Sequence, residues 1–201
     1  MLLTKTDRMN AFRIGLFGGS FDPVHCGHLL VAQAAGEELG LRRLFFVPAA
    51  RSPFKPDNVP APDEARLRML RLALAGQPQY EVDDQEIRRG GLSYSIETAR
   101  EYARRFPEAE LHYLVGADHV PTLPAWREAT ELARLVFFVV IPRPGLKSMP
   151  LPAPFRGCEL KGFPLGVASS QIRQRVKAGL TLAGLVPEAV AEAIKNSGLY
   201  L

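Results

Sequence analysis

The chain has 201 residues, of which 47% are hydrophobic and 23% are charged, and this length and composition suit a globular protein with a sizeable core. The formal net charge of +4 suits an anionic ligand, but it is too small for a protein that coats nucleic acid. Two cysteines, at positions 26 and 158, are too few for a disulfide scaffold.

Strands and helices are predicted to alternate along the chain, because short apolar runs alternate with segments whose apolar residues recur at helical spacing. Residues 48–62 and 142–154 hold five prolines each, which predicts two irregular loops. The first loop is either a solvated linker or an active-site flap. In chain order the predicted elements are a strand (13–17), a helix (28–39), a strand (44–47), a helix (63–75), a strand (80–82), a helix (93–105), a strand (111–115), a helix (126–133), a strand (135–141) and two helices (169–178 and 187–196).

Some helix ends carry signals of their own. Asp63 is predicted to cap the second helix, and paired serines begin the helix at residue 169. Pro187 suits the first turn of the last helix and Gly198 suits its end.

The alternation predicts the α/β class: a single-domain, Rossmann-like parallel sheet with helices on both faces. We expect one domain over residues 11–201 after a flexible tail over residues 1–10. Ligands should bind outside the carboxyl ends of the strands. The sequence has no run of 18 apolar residues and no apolar segment in its first ten, so we expect no membrane partner. The two cysteines suit reduced thiols in a cytoplasmic protein, and the small net charge predicts no nucleic-acid partner. A homo-oligomer stays open.

A segment rich in glycine and histidine, GGSFDPVHCGH (residues 18–28), follows the first predicted strand. Gly18 and Gly19 let the backbone turn sharply and approach a ligand without an intervening Cβ. Backbone N–H groups in such a loop, and the positive end of the next helix, can face phosphate oxygens. His25 and His28 share one face of that helix start, so both imidazoles can donate hydrogen bonds to phosphates.

Other interpretations of this segment stay open. Two histidines at this spacing are also typical of capping or surface positions. A zinc site built from His25, Cys26 and His28 is a weaker alternative, because successive positions point apart and the chain has no further ligand cluster. The chain lacks the Walker A motif, a Gly-x-Gly-x-x-Gly after the first strand, and a Gly-x-Ser-x-Gly elbow.

The segment matches the Gly-Gly-x-Phe-Asp-Pro-x-His-x-Gly-His signature of the nucleotidylyltransferase superfamily at every fixed position. Over about residues 12–201 the chain resembles the bacterial nicotinate-nucleotide adenylyltransferases. Two positions depart from that family: Ala168 stands where a serine is usual, and Phe54 stands where the loop commonly has histidine. Segments that match in the family's order are Ser93-Tyr94-Ser95, Gly116-Ala117-Asp118 followed by Trp126, Arg143-Pro144-Gly145, Ser169-Ser170-Gln171-Ile172-Arg173 and Gly198-Leu199-Tyr200.

The resemblance implies adenylyl transfer from ATP to nicotinate mononucleotide, which yields nicotinate adenine dinucleotide and pyrophosphate in NAD biosynthesis. It also implies Mg²⁺ bridging the ATP phosphates, with few or no protein ligands and no metal site of the protein's own. The implied catalytic residues are His25, His28, Lys55 and Arg173. The implied ATP site is Gly18, Gly19, Ser20, Phe21, His25, His28, Gly116, Asp118, Ser169, Ser170, Ile172 and Arg173, and the implied pyridine-nucleotide site is Ser93, Tyr94, Ser95, Trp126 and Arg127.

Alternatives stay open at this stage. Ser169 and Ser170 also suit plain helix capping, and a single tryptophan is more often a core residue than a ligand platform. Pantetheine-phosphate adenylyltransferases and cytidylyltransferases share the first motif, but Trp126 and the Ser-Tyr-Ser segment argue against them. The intact His-x-Gly-His argues against a nucleotide-binding regulator without turnover.

Overall fold

The structure is a computed structural model that describes residues 12–54, 59–162 and 165–201. Within these ranges six strands form one parallel sheet with the order β3-β2-β1-β4-β5-β6. The predicted α/β class is confirmed, and the predicted tail over residues 1–10 lies outside the described residues. The strands are β1 (Phe12–Gly19), β2 (Arg43–Pro48), β3 (Tyr80–Val82), β4 (Ala109–Gly116), β5 (Phe137–Ile141) and β6 (Gly157–Glu159).

Helices cover both faces of the sheet. In the part of the chain that the structure describes, none of them is long and apolar enough to cross a membrane. The helices are α1 (Cys26–Leu39), α2 (Asp63–Leu74), α3 (Gln85–Arg89), α4 (Ser95–Arg105), a 3₁₀ helix (Ala117–Ala125), α5 (Ala129–Leu135), α6 (Ser169–Lys177) and α7 (Glu188–Ser197).

The central strands are buried on both faces, because helices cover both sides of the sheet. Successive side chains of a strand therefore enter opposite hydrophobic clusters. Phe17 and Phe46 belong to one hydrophobic cluster, whereas Leu16 and Phe45 belong to the other. The first cluster includes residues of α1, α2, α6 and α7, and the second includes residues of α4, α5 and the 3₁₀ helix. These two clusters thus hold the sheet in place and position the carboxyl ends of its strands, where ligands can bind.

The predicted helix over residues 126–133 is confirmed in part, since α5 covers Ala129–Leu135, but its predicted start is wrong. The 3₁₀ helix ends at Ala125, and α5 begins only at Ala129. Trp126, between the two helices, has an extended backbone. Glu128 then has a φ of 51°, a left-handed conformation that a continuous right-handed helix cannot contain. The sequence also did not predict α3 and β6, since five and three residues are too few to show periodicity.

The prediction that Asp63 caps α2 is also wrong. Pro62 occupies the capping position, and Asp63 is the first helical residue. The Asp63 carboxylate instead pairs with the buried guanidinium of Arg66 one turn further on.

The ends of α6 and α7 differ in detail from the prediction. Ala168 is the capping residue of α6, and its N–H donates to Oε1 of Gln171 at 3.0 Å, so a glutamine closes this end in place of a serine. Pro187 occupies the capping position of α7 rather than its first turn. Gly198 ends α7 in the left-handed conformation, with a φ of 63°, as predicted.

Candidate active site

The candidate site lies where the chain order of the sheet reverses. From β1 the chain continues to β2 on one side, and β4 lies on the other, so the turns after β1 and β4 diverge and leave a crevice. A cleft of about 370 Å³ opens at this point. The predicted residues that line it are Gly18, Gly19, Ser20, Phe21, His25, His28, Ser93, Ser95, Gly116, Trp126, Ser169, Ser170 and Arg173.

Glycines at the end of β1 and at the start of α1 let the chain pack tightly on either side of the turn between them. A Cβ on Gly18 would lie 3.0 Å from the Tyr113 hydroxyl, and a Cβ on Gly27 would lie 3.0 Å from Nδ1 of His25. Phe21 has a φ of 47° and turns its ring into the first hydrophobic cluster. The backbone of the turn therefore borders the cleft while its apolar side chain anchors it.

His25 and His28 form a stacked pair at the start of α1. Their ring centroids are 3.6 Å apart, and the planes are inclined by 24°. The N–H of His25 donates to Nδ1 of His28 at 3.2 Å. Because Nδ1 of His28 accepts this bond, a neutral His28 carries its proton on Nε2, which is then a hydrogen-bond donor. The rings of Phe17 and Phe21 contact His28 edge-on at 5.8 and 5.0 Å and hold it in place.

Both imidazoles are neutral at ordinary pH. Burial, followed by the positive charge of Arg143, lowers the pKa of His25 to about 4. Burial, followed by the charges of His25 and Arg143, holds the pKa of His28 well below its usual value. Nδ1 of His25 is buried and has no hydrogen-bond partner among the described residues. The pair thus presents donors in a place where cations already lie nearby.

The start of α6 is fastened to the turn after β1. The Ser169 hydroxyl donates to the Pro23 carbonyl at 2.9 Å, and Nη1 of Arg173 donates to the Asp22 carbonyl at 2.7 Å. Ile172 is fully buried, and its N–H donates to the Ala168 carbonyl within the helix. Ile172, a predicted ATP-site residue, is therefore not among the described cleft-lining residues; it contributes to the packing of α6.

An acidic and a basic side chain meet at the end of β4. Nε of Arg143 donates to Oδ1 of Asp118 at 3.3 Å. Burial opposes ionisation of Asp118, but the charges of His119 and Arg143 outweigh it and lower its pKa. A Cβ on Gly116 would lie 2.4 Å from the same carboxylate oxygen, so glycine makes room for it. Asp118 is thus an ionised acceptor. It is not itself among the described cleft-lining residues, but its partner Arg143 is.

The far end of the cleft is aromatic. The ring centroid of Trp126 lies 5.4 Å from that of Phe54, 6.2 Å from His119 and 6.4 Å from Tyr113. Nε1 of Trp126 donates to Oγ1 of Thr122 at 3.2 Å, which fixes the ring plane. Trp126 is therefore a wall of the cleft and not a core residue.

Some predicted residues lie elsewhere. Tyr94 and Arg127 are not among the described cleft-lining residues: the Arg127 guanidinium lies 4.6 Å from the ring centroid of Tyr94, and its Nη1 donates to Glu97 at 3.3 Å. Lys55 lies outside the described residues. The cleft is also lined by residues that were not predicted as site residues. Among those with polar or aromatic side chains are Phe54, Glu86, Tyr113, His119 and Arg143, and Arg143 belongs to the Arg-Pro-Gly segment after β5.

The fold does not bring further zinc ligands to His25, Cys26 and His28 among the described residues. In the described part of the chain, no three side chains of His, Cys, Asp or Glu come together as metal ligands. Burial raises the pKa of the Cys26 thiol, which keeps it protonated and a poor ligand.

Fold and cleft together define a nucleotide-binding protein of the cytidylyltransferase-like family, whose family model matches residues 16–175. The chain is 43% identical over 191 residues to a probable nicotinate-nucleotide adenylyltransferase of Opitutus terrae, covering 94% of this chain and 97% of that protein. It is 44% identical over 191 residues to one from Thermus thermophilus, covering 94% of this chain and 99% of that protein. Within the cytidylyltransferase-like proteins, the chain belongs to the nicotinate-nucleotide adenylyltransferase family.

The fold likeness extends to distant proteins. A Plasmodium falciparum nicotinic acid mononucleotide adenylyltransferase, solved in complex with NaAD, superimposes with a TM-score of 0.79 at 15% sequence identity. The alignment covers 94% of this chain and 97% of that one. The parallel sheet and its strand order therefore do not depend on most side chains.

Proposed function

We propose that the cleft holds ATP beside nicotinate mononucleotide and catalyses adenylyl transfer by positioning and charge neutralisation. A 5′-phosphate oxygen of the mononucleotide attacks the α-phosphorus of ATP, and the bond from that phosphorus to the bridging oxygen of pyrophosphate breaks. The observation that carries this proposal is the stacked His25–His28 pair beneath a glycine turn, with Arg173 anchored beside it.

The ATP end of the cleft is the histidine end. Phosphate oxygens need donors that gain strength as charge develops in the transition state. Nε2 of His28 is the donor that we assign to the α-phosphate. Arg173, on α6, supplies a cation to the same cleft. Asp118, which is ionised, suits a ribose hydroxyl of the adenosine, as the family resemblance implies.

We further propose that Mg²⁺ would enter with ATP, that few or no protein side chains would hold it, and that it would supply neutralisation of charge on the phosphates. The carboxylate of Asp22 supports this; it lies in the turn after β1 (residues 20–25), which we call the phosphate turn. Oδ1 of Asp22 accepts the Ala61 N–H at 3.2 Å and the Tyr200 hydroxyl at 2.7 Å, and its Oδ2 lies 3.7 Å from Nη1 of Arg173. Asp22 is thus engaged with protein groups, and few or no side chains need hold the ion.

The pyridine end of the cleft is the Trp126 end. An indole face can stack on a flat pyridine ring, which is worth on the order of 1 kcal/mol. The Arg127 side chain is engaged by Glu97, so we assign its backbone N–H to the nicotinate carboxylate. Ser95, the first residue of α4, adds a backbone N–H at a helix end that favours an anion.

These donors discriminate between pyridines. A nicotinate carboxylate offers acceptors only, whereas nicotinamide would place an NH₂ against one donor and leave it unpaired, which costs about 1–3 kcal/mol. We place the reaction in the cytoplasm.

The experiment is to measure pyrophosphate release from ATP with nicotinate mononucleotide and with nicotinamide mononucleotide. We expect at least about a tenfold preference for nicotinate in kcat/KM, and a smaller preference in Trp126→Ala. Trp126→Phe, which keeps an aromatic face, is the matched control. Equal or better use of nicotinamide mononucleotide by the unmodified protein would contradict this assignment of the pocket.

A further inference from the structure

Three distant segments of the chain converge on Asp22, in the turn after β1. The Tyr200 hydroxyl donates to Oδ1 of Asp22 at 2.7 Å, and the Ala61 N–H donates to the same oxygen at 3.2 Å. Nη1 of Arg173 donates to the Asp22 backbone carbonyl at 2.7 Å. Asp22 is only 4% exposed, so these protein groups, rather than water, satisfy it.

Tyr200 is held in an unusual backbone conformation to make this contact. Its φ is 66°, in the left-handed region that side-chain-bearing residues rarely adopt, and Gly198 before it has a φ of 63°. These residues turn the chain after α7 back toward the phosphate turn. Burial, followed by the hydrogen bond to Asp22, raises the pKa of Tyr200, so the phenol keeps its proton and remains a donor. A local strain that persists in the fold points to a role for the contact that it permits.

The contact bears directly on Arg173. Oδ2 of Asp22 lies 3.7 Å from Nη1 of Arg173, which is beyond hydrogen-bond distance. A small rotation of the Asp22 carboxylate would bring the two atoms within that distance. A carboxylate without its other donors would rotate toward the guanidinium and form a closer ion pair, because paired Arg–carboxylate bonds are strong. An Arg173 bound in that way would have fewer N–H groups to offer to ATP.

We propose that Tyr200 is a positioning residue for the ATP phosphates: its hydroxyl holds the Asp22 carboxylate so that Arg173 stays directed into the cleft. The proposal rests on the proposed function, in which Arg173 binds the phosphates of ATP. It concerns a residue that does not line the cleft and that lies 178 positions from Asp22 along the chain.

The test compares Tyr200→Phe with Tyr80→Phe, a matched loss of a phenol hydroxyl on β3, away from the cleft. We expect Tyr200→Phe to raise KM for ATP about tenfold, as loss of a hydrogen bond to a charged group does, and to leave KM for nicotinate mononucleotide within about twofold. Tyr80→Phe should leave both constants unchanged. A purely structural role would instead lower the melting temperature and change both Michaelis constants together, and that outcome would overturn the proposal.

A double-variant cycle tests the route of the effect. If Tyr200 acts through Arg173, adding Tyr200→Phe to Arg173→Ala should cause no further loss of ATP affinity. Additive losses would overturn the proposal. The dissociation constant of ATP, measured by calorimetry without the second substrate, gives the same comparison without turnover. A protein that binds ATP with this dependence but forms no dinucleotide would contradict the proposed function and still support the role of Tyr200.

Discussion

At the scale of single residues, His28 is the side chain that we expect to contribute most directly to catalysis. It is a polar side chain at the edge of the cleft, held by the His25 N–H and by two aromatic ring edges. His28→Ala should therefore fold, since the truncation opens toward the cleft and not into the core. Turnover should fall by about two orders of magnitude or more, as loss of one transition-state donor does.

The measurement is kcat for pyrophosphate release, with circular dichroism and the melting temperature as tests of folding. His112→Gln provides a matched loss of a histidine, because His112 lies on β4 and does not line the cleft. Near-normal turnover of folded His28→Ala would remove His28 from the mechanism.

At the scale of elements, Arg66 joins α2 to the loops around the phosphate turn. Its side chain is completely buried. It donates to the carbonyls of Ser20 and Ala49, each at 2.8 Å, and to that of Ala61 at 3.1 Å. One guanidinium therefore holds together the turn after β1, the end of β2 and the loop before α2.

Arg66→Met should lower the free energy of unfolding by roughly 2–4 kcal/mol, because several carbonyls lose a charged donor at once. Arg68→Met, an exposed arginine on the same helix, should change it by less than about 0.5 kcal/mol. Urea denaturation of both variants measures the difference. Equal stability of the two variants would show that Arg66 does not fasten these loops.

The sequence predicted elements well where the cause is local. Short continuous runs of apolar residues predict β1 and β2, because a strand buried on both faces carries apolar residues at successive positions, as Leu16 and Phe17 do. The start of the helix near Trp126 was predicted wrongly, because the left-handed backbone of Glu128, which no sequence pattern indicates, delays the helix until Ala129.

The same distinction applies to the candidate site. Glycines and histidines of the first motif are close in sequence, so their spacing alone indicates a phosphate site. Arg143 joins Asp118 across 25 positions and Tyr200 joins Asp22 across 178, and no local pattern predicts such contacts.

At the scale of the whole molecule, the cleft is assembled from both ends of the chain. The turn after β1 supplies one wall, and the start of α6, about 140 positions later, supplies another. Such a site forms only when the strands and helices that supply its walls have folded together. The small positive net charge then favours anionic substrates as they approach.

The neutral state of the stacked imidazoles has a consequence for the energetics of the whole molecule. In the protein without nucleotide the pKa of His25 is about 4, so at pH 6.5 its imidazole is neutral. Phosphate groups stabilise the imidazolium, which means that the complex with ATP binds more protons than the separate partners do. Affinity for ATP should therefore rise as the pH falls, and the proton must come from the buffer.

Titration calorimetry in two buffers with different ionisation enthalpies makes this visible. The observed heat of ATP binding should shift with the ionisation enthalpy of the buffer, and the shift should shrink in His25→Asn, which also corrects for protons bound by ATP itself. A buffer-dependent heat that is identical in both proteins would mean that the histidine pair stays neutral throughout. If the shift is found, the enzyme acquires part of its catalytic charge from the solvent only when its substrate arrives.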